Sequence, residues 1–170
     1  MSSSDRILLS VPGALEFRDV AVRVVGAACK LLGPRGGSSP DLAEREPSAR
    51  DPNPGAEHAA VHAGAELVDP FSMAVLSAFS EAFNNLALHG YRGMPRGTID
   101  VEVRSEGTRH EGALYIRLTD TGRVFDPSQY VEPPDELPER GMGLFIMRGF
   151  LDELRYEAGP PNVLTLVKRW

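Results

Sequence analysis

The spacing of hydrophobic and polar positions changes period several times along this chain, and each change marks an element. Arg6 to Val11 is a short apolar run that reads as an edge strand, stopped by Pro12 and Gly13. Phe17, Val20, Ala21, Val24, Ala28, Leu31 and Leu32 then recur at helical spacing, which predicts an amphipathic helix from Ala14 to Leu32. Gly33 supplies a C-terminal stop, with Pro34 just beyond. Asp69 is a good N-cap with Pro70 at the first helical position, and Phe71, Val75, Phe79, Ala82 and Leu86 form one apolar stripe down to about His89. Gly90, Gly93, Pro95 and Gly97 make a turn. Ile99, Val101 and Val103 alternate within Thr98 to Arg104, and Leu114, Ile116 and Leu118 repeat the pattern up to Asp120, which gives two strands. Residues 121 to 140 are polar and proline-bearing and read as a loop. Gly143 to Leu151 has the pattern of a short helix, and Glu153 to Glu157 and Val163 to Val167 read as two closing strands. No internal repeat is visible.

Between the two long helices the character changes. From Gly33 to about Glu66, Pro34, Pro40, Pro47, Pro52 and Pro54 are scattered among Gly, Ser and mixed charges, with hardly a large apolar side chain. Such a stretch buries too little surface to offset its ordering entropy, so residues 33–66 are expected to be a disordered insertion at the surface of one domain spanning residues 1–170.

Composition narrows the function classes. The 170 residues suffice for one domain with a sizeable core, and 42% hydrophobic with 25% charged residues is ordinary for a soluble globular protein. The net charge of −6 argues against nonspecific nucleic-acid binding, so no direct nucleic-acid partner is expected. Met1 to Val11 is too short and polar for a signal peptide, and no apolar run approaches the ~20 residues that cross a bilayer. The single cysteine, Cys29, sits in an apolar helical pattern and reads as a buried small hydrophobe, and a cytoplasmic location without membrane attachment is expected.

Three clusters carry candidate chemistry. Glu81, Asn85 and His89 are spaced by four on the second helix and so share a face beside the apolar stripe, where a half-buried cleft would form. An Asn oxygen there can serve Mg²⁺ and a Glu can accept a proton, although polar residues at this spacing are more often a solvated face. Asp120-Thr-Gly122 directly follows a strand. Its carboxylate can accept from an exocyclic amine, and Gly122 lets backbone approach a flat ring, although an ordinary turn has the same sequence. Arg140-Gly141-Met142-Gly143-Leu144 opens a helix, whose free N–H groups and dipole suit a phosphate. A lone glycine pair before a helix is common. The order of the three clusters is not.

A helix with Glu-x-x-x-Asn, a strand ending in Asp-x-Gly, a polar loop and then Gly-x-Gly into a helix resembles the histidine-kinase-like (GHKL) ATPase superfamily from about Asp69 to Trp170, with the first strand and helix in matching positions. Within it the likeness is to the anti-sigma factor serine/threonine kinases. Ser80 to Tyr91 is similar to their N-box, and Glu139 to Met147, running into Phe150 to Leu154, looks like their second glycine box and following helix. The resemblance implies an α/β (α+β) two-layer sandwich, the Bergerat fold, with a mixed, mostly antiparallel sheet carrying helices on one face. It implies ATP and Mg²⁺ as cofactors, a sigma factor and a STAS-domain anti-anti-sigma protein as partners, and a homodimer.

By the same resemblance Glu81 is the catalytic base toward a partner serine and Asn85 holds the metal. Asp120 reads the adenine amine and Gly122 shapes that pocket. Residues from about Arg123 to Arg140 form a lid, and Arg140, Gly141, Met142, Gly143 and Leu144 line the phosphates. Phosphoryl transfer needs chiefly in-line positioning and charge neutralisation, and a carboxylate base takes the serine proton late. Two departures stand out. Val124 occupies a position where the first glycine box often has a second glycine, and Asn162 and Val163 stand where a third, glycine-threonine element would fall. Both bear on turnover more than on binding and keep open an alternative: an ATP-binding or nucleotide-free regulator that sequesters a partner without phosphorylating it. A sensor-kinase or topoisomerase-type core would need a longer lid and more chain.

Overall fold

The computed structural model describes residues 5–34, 69–108, 110–124 and 142–170. The expected 33–66 insertion lies almost wholly outside the described residues, as do most of the expected lid, Arg140 and Gly141.

Five strands form one sheet in the order β1-β2-β3-β5-β4, with β1 Arg6–Pro12, β2 Thr98–Gly107, β3 Gly112–Asp120, β4 Glu153–Glu157 and β5 Asn162–Arg169. All four pairings are antiparallel. The expected edge position of β1 holds. Alternation decides which way each strand faces: Ile99, Val101 and Val103 of β2, Leu114, Ile116 and Leu118 of β3, and Leu164 and Leu166 of β5 are buried in one core with residues of the helices. The opposite face carries charged and polar positions such as Arg104, Arg117 and Arg155. Arg104 there lies 4.3 Å over the Tyr115 ring.

Three helices, α1 Arg18–Leu32, α2 Pro70–Asn85 and α3 Met142–Phe150, form the second layer of the expected two-layer sandwich. α2 begins as its sequence requires. The Asp69 side chain accepts from the Ser72 N–H at 2.8 Å, and Pro70 stands where no N–H is needed. Phe79 and Phe83 of α2 are fully buried with ring centroids 6.2 Å apart, so truncating either would cost about 3–5 kcal/mol.

Two helical expectations change. The turn Leu15–Phe17 is 3₁₀, and the α-helix starts only at Arg18. α1 also presents a different stripe from the one its spacing predicts. Ala21, Val25, Ala28 and Cys29 are buried, while Val20 and Leu31 are 52% and 61% exposed. The helix is apolar around most of its circumference, so spacing alone does not choose a face. Packing favours the arc with the smallest side chains, which lets α1 approach its neighbours closely.

Candidate nucleotide site

α2 carries the candidate site along its length, and its C-terminal end is not α-helical. Leu86–Gly90 continues it as a π-helical segment whose wider turn advances each residue by less than an α-helical step. Glu81 and Asn85 lie on the regular part and keep their shared face. His89 lies on the π segment and is exposed.

The first convergence is at the start of α3. A Cβ built on Gly143 would lie 2.8 Å from Glu81 Oε2, 3.4 Å from Asn85 Nδ2 and 3.6 Å from Asn85 Oδ1. The glycine of the third cluster and the two polar residues of the first therefore meet, with room only for a hydrogen where they do. Met142 and Leu144 flank Gly143 on α3. Met142 is half-buried, and Leu144 is buried in the core and fixes this turn against α2. The first N–H groups of α3 have no acceptor within their own helix, and they lie beside Glu81 and Asn85.

The second convergence is at the other end of the same helix. Asp120 ends β3 on the inward face, continuing the series Leu114, Ile116, Leu118, and is only 2% exposed. Its Oδ1 accepts from the Gly122 N–H at 2.7 Å, closing a tight turn, and from Asn162 Nδ2 at 3.3 Å. The chain then runs against the π segment. The Arg123 N–H donates to the Gly90 carbonyl at 2.8 Å, and a Cβ on Gly122 would lie 2.7 Å from that oxygen. Gly122 is thus required by the approach of the protein's own backbone at Gly90. Val124, the last described residue of this loop, is 62% exposed.

Tyr91 locks this end in place. Its hydroxyl donates to the Thr98 carbonyl at 2.9 Å and accepts from the Thr121 N–H at 3.3 Å. The ring fills space left by two glycines, since a Cβ on Gly13 or Gly97 would fall 2.3 Å and 2.5 Å from ring carbons. One buried side chain thereby joins the end of β1, the start of β2 and the loop that follows Asp120.

Sequence reasoning met Gly90 only within the N-box likeness and Asn162 only as a departure from a third glycine-threonine element, and gave neither a role in the site. Asn162 had a signal: it precedes Leu164 and Leu166 at the same period of two, so a polar residue was due at an inward position. Gly90 had none beyond the N-box likeness and its place at a glycine-bearing turn. Among the described residues no three His, Cys, Asp or Glu side chains gather as a metal cage.

Comparison with known proteins fits this arrangement. Residues 54–168 match the family model of the histidine kinase-like ATPase domain. An anti-sigma F factor of Clostridium botulinum is 36% identical over 90 residues, which span 49% of this chain and 59% of that protein. The anti-sigma F factor of Geobacillus stearothermophilus is 29% identical over 119 residues, 65% of this chain and 79% of its own length. That of Halalkalibacterium halodurans is 28% identical over 91 residues, 51% of this chain and 60% of its own.

Proposed function

The chain belongs to the histidine kinase-like ATPase family, and from that premise we propose that it binds ATP with Mg²⁺, phosphorylates a serine of a STAS-domain anti-anti-sigma protein, and alternately holds a sigma factor inactive. The observation that carries this reading is the contact of Glu81, Asn85 and Gly143 at the first turn of α3. A carboxylate, a neutral amide oxygen and a helix N-terminus at one point suit a metal-bound polyphosphate better than any other common ligand.

The two convergences are spaced for such a ligand. Glu81 and Gly90 are nine residues apart on one continuous helical path, on the order of 10 Å, since the α part rises about 1.5 Å per residue and the wider π turn less. A purine at the Asp120 end and a polyphosphate at the Gly143 end would span that length. Asp120 would accept from the purine's exocyclic amine. Its turn is already closed by the Gly122 N–H, so little ordering would remain at binding.

The donor set fits Mg²⁺, which takes one or two protein oxygens and keeps the rest of its shell for water and phosphate. Asn85 would hold it through Oδ1, and when bound it would neutralise phosphate charge. Glu81 would stand as the base for the incoming serine hydroxyl. The bare Cα of Gly143 leaves its carboxylate free to sit against α3. Met142 and Leu144 would hold the turn that presents the N–H groups to phosphate, with Arg140 and Gly141 completing it.

The relatives are named anti-sigma F factors. That name supports the sigma-factor half of the proposal, and the Glu81-x-x-x-Asn85 pattern of this chain supports the kinase half. Incubating the full chain with labelled Mg-ATP and a STAS-domain protein should place phosphate on a partner serine. Glu81→Ala should lower transfer about 100-fold or more with ATP affinity nearly unchanged, as expected for loss of a positioned base. Tight partner binding without transfer by the unaltered chain would replace the kinase with a sequestering regulator, the outcome that Val124 favours.

A further inference from the structure

The polar residue at the head of β5 links the end of β3, the turn after it and the turn before β5. Asn162 is 1% exposed and pairs directly with Asp120 across β3 and β5. Directly paired residues on neighbouring strands project to the same face, so both side chains enter the helix-covered side. Asn162 Nδ2 donates to Asp120 Oδ1 at 3.3 Å and to the Gly122 carbonyl at 3.0 Å, and its Oδ1 accepts from the Gly159 N–H at 3.2 Å.

These three bonds fix the amide in one orientation. Turning it over would set its oxygen against a carboxylate and a carbonyl, and its NH₂ against an N–H, so three attractive contacts would become repulsive. No other small side chain offers two donors and an acceptor in this arrangement. The consequence falls on Asp120. With the Gly122 N–H and Asn162 Nδ2 both on Oδ1, the plane of the carboxylate is set, and neither bond uses Oδ2. The Gly122 carbonyl is held by the same amide, so the turn cannot swing away from the carboxylate it closes.

We propose that Asn162 is a positioning residue that orients Asp120 as a fixed acceptor, and so sets the preference of this site for a purine bearing a 6-amine over one bearing a 6-carbonyl. A carboxylate held in one plane rewards a donor at the correct place and repels a carbonyl oxygen there. A freely rotating one would discriminate less, because it could turn to meet other groups. The inference rests on the assignment of Asp120 to the base under the proposed function.

The test compares ATP with inosine triphosphate, which has a carbonyl in place of the 6-amine. Binding to the full chain is measured by calorimetry for the unaltered protein, Asn162→Ala and Asn162→Leu. Asn162→Leu has nearly the same shape and sets no charge against Asp120, but loses both donors. It carries the test if Asn162→Ala fails to fold. The unaltered chain should prefer ATP. In either variant ATP affinity should fall about tenfold or more, the worth of a hydrogen bond to a charged group, while inosine triphosphate affinity changes much less. The ratio of the two affinities should therefore collapse toward one. An unchanged ratio in a folded variant, or equal weakening of both nucleotides, would overturn the positioning role and leave Asn162 as a structural link. If the unaltered chain binds neither nucleotide, the nucleotide-site reading itself falls, an outcome distinct from a preference that survives the substitution.

Discussion

Gly143→Ala should separate the stability of this fold from its chemistry. Gly143 lies in the first turn of α3 with no left-handed backbone angle, so alanine fits the backbone. In a helix Ala is favoured over Gly by about 0.5–1 kcal/mol, partly because the unfolded chain loses less freedom. Against this stands the new methyl, 2.8 Å from Glu81 Oε2. That is about 0.6 Å short of ordinary van der Waals contact, and the atom in its way is the far end of a flexible side chain. The Glu81 carboxylate can swing aside for a fraction of a kcal/mol, because no backbone has to move. Net stability should then be unchanged or raised by up to about 0.5 kcal/mol, within roughly 2 °C of melting temperature for a domain of this size.

The chemistry should respond in the opposite direction. A base displaced by half an ångström or more from its working position loses in-line geometry, and a 1 Å error can cost about 100-fold, so a fall in phosphate transfer of about tenfold or more is expected. Gly149→Ala is the matched control. It lies in the same helix, a Cβ there meets nothing within 4 Å, and it should gain stability with full activity. Thermal unfolding by circular dichroism and single-turnover transfer to a STAS-domain partner read the two effects separately. Full transfer by Gly143→Ala would refute the placement of Glu81, as would equal losses of transfer in both variants. Lost transfer with a matching loss of melting temperature would show the contact to be structural.

Two further outcomes follow from the α1–α2 side of the core. Asp69→Ala removes the cap of α2 and should cost about 1 kcal/mol in urea denaturation at pH 7. Partial burial pushes the Asp69 carboxyl up, but hydrogen bonds from the Ser72 side chain and from the Ser72 and Phe71 backbone outweigh it and hold the group below the usual carboxylate range. A depressed folded-state value means this stability is complete above the unfolded carboxyl range, near pH 3.9, and fades as pH falls through the folded value, so the difference between Asp69→Ala and the unaltered chain should shrink below about pH 4. Cys29 is pushed up to about 12, first by burial and then by the charge of Asp69. Thiol reagents at pH 8 should label it only at the rate of unfolding. Because the unfolded thiol ionises first, folding stability should fall above about pH 9, and Cys29→Ala should lose that part of the alkaline decline.

Much of the fold was legible because single residues forced local answers. Asp69 and Pro70 could only begin a helix, and Ile99, Val101 and Val103 could only face one side of a strand. The five strands and three helices follow from such local rules, whereas the sheet was expected only from the family resemblance, as mixed and mostly antiparallel, and its four pairings are all antiparallel. The buried stripe of α1 did not, since Val20 and Leu31 are as apolar as Val25, and only the packed layer decides which is covered. The site divides in the same way. Glu81, Asn85, Asp120, Gly122 and Gly143 stood out by residue type and order along the chain, whereas the roles of Gly90 and Asn162 depend on contacts 32 and 40 residues away, to Gly122. The π segment itself was not legible, because no residue of Leu86–Gly90 announces a wider turn in the sequence.

That π segment would let one helix serve both ends of the proposed nucleotide. A regular α-helix turns about 100° per residue, so from Asn85 to Gly90 it would rotate by about 140° and carry Gly90 away from the face that bears Asn85. A π turn of roughly 4.4 residues advances only about 80° per residue, so the same five residues come through about 410°, within about 50° of the starting face. Gly90 thereby returns toward the side on which Glu81 and Asn85 project, where its carbonyl receives the Arg123 N–H and its bare Cα lets the Asp120 turn approach. The extra residue in the turn costs helix stability, and the Tyr91 bonds to Thr98 and Thr121 offset it by clamping the segment's end. On this account the irregularity aligns the purine end with the phosphate end, and a substitution that restored α-geometry at Leu86–Gly90 would weaken nucleotide binding without touching a residue that contacts it.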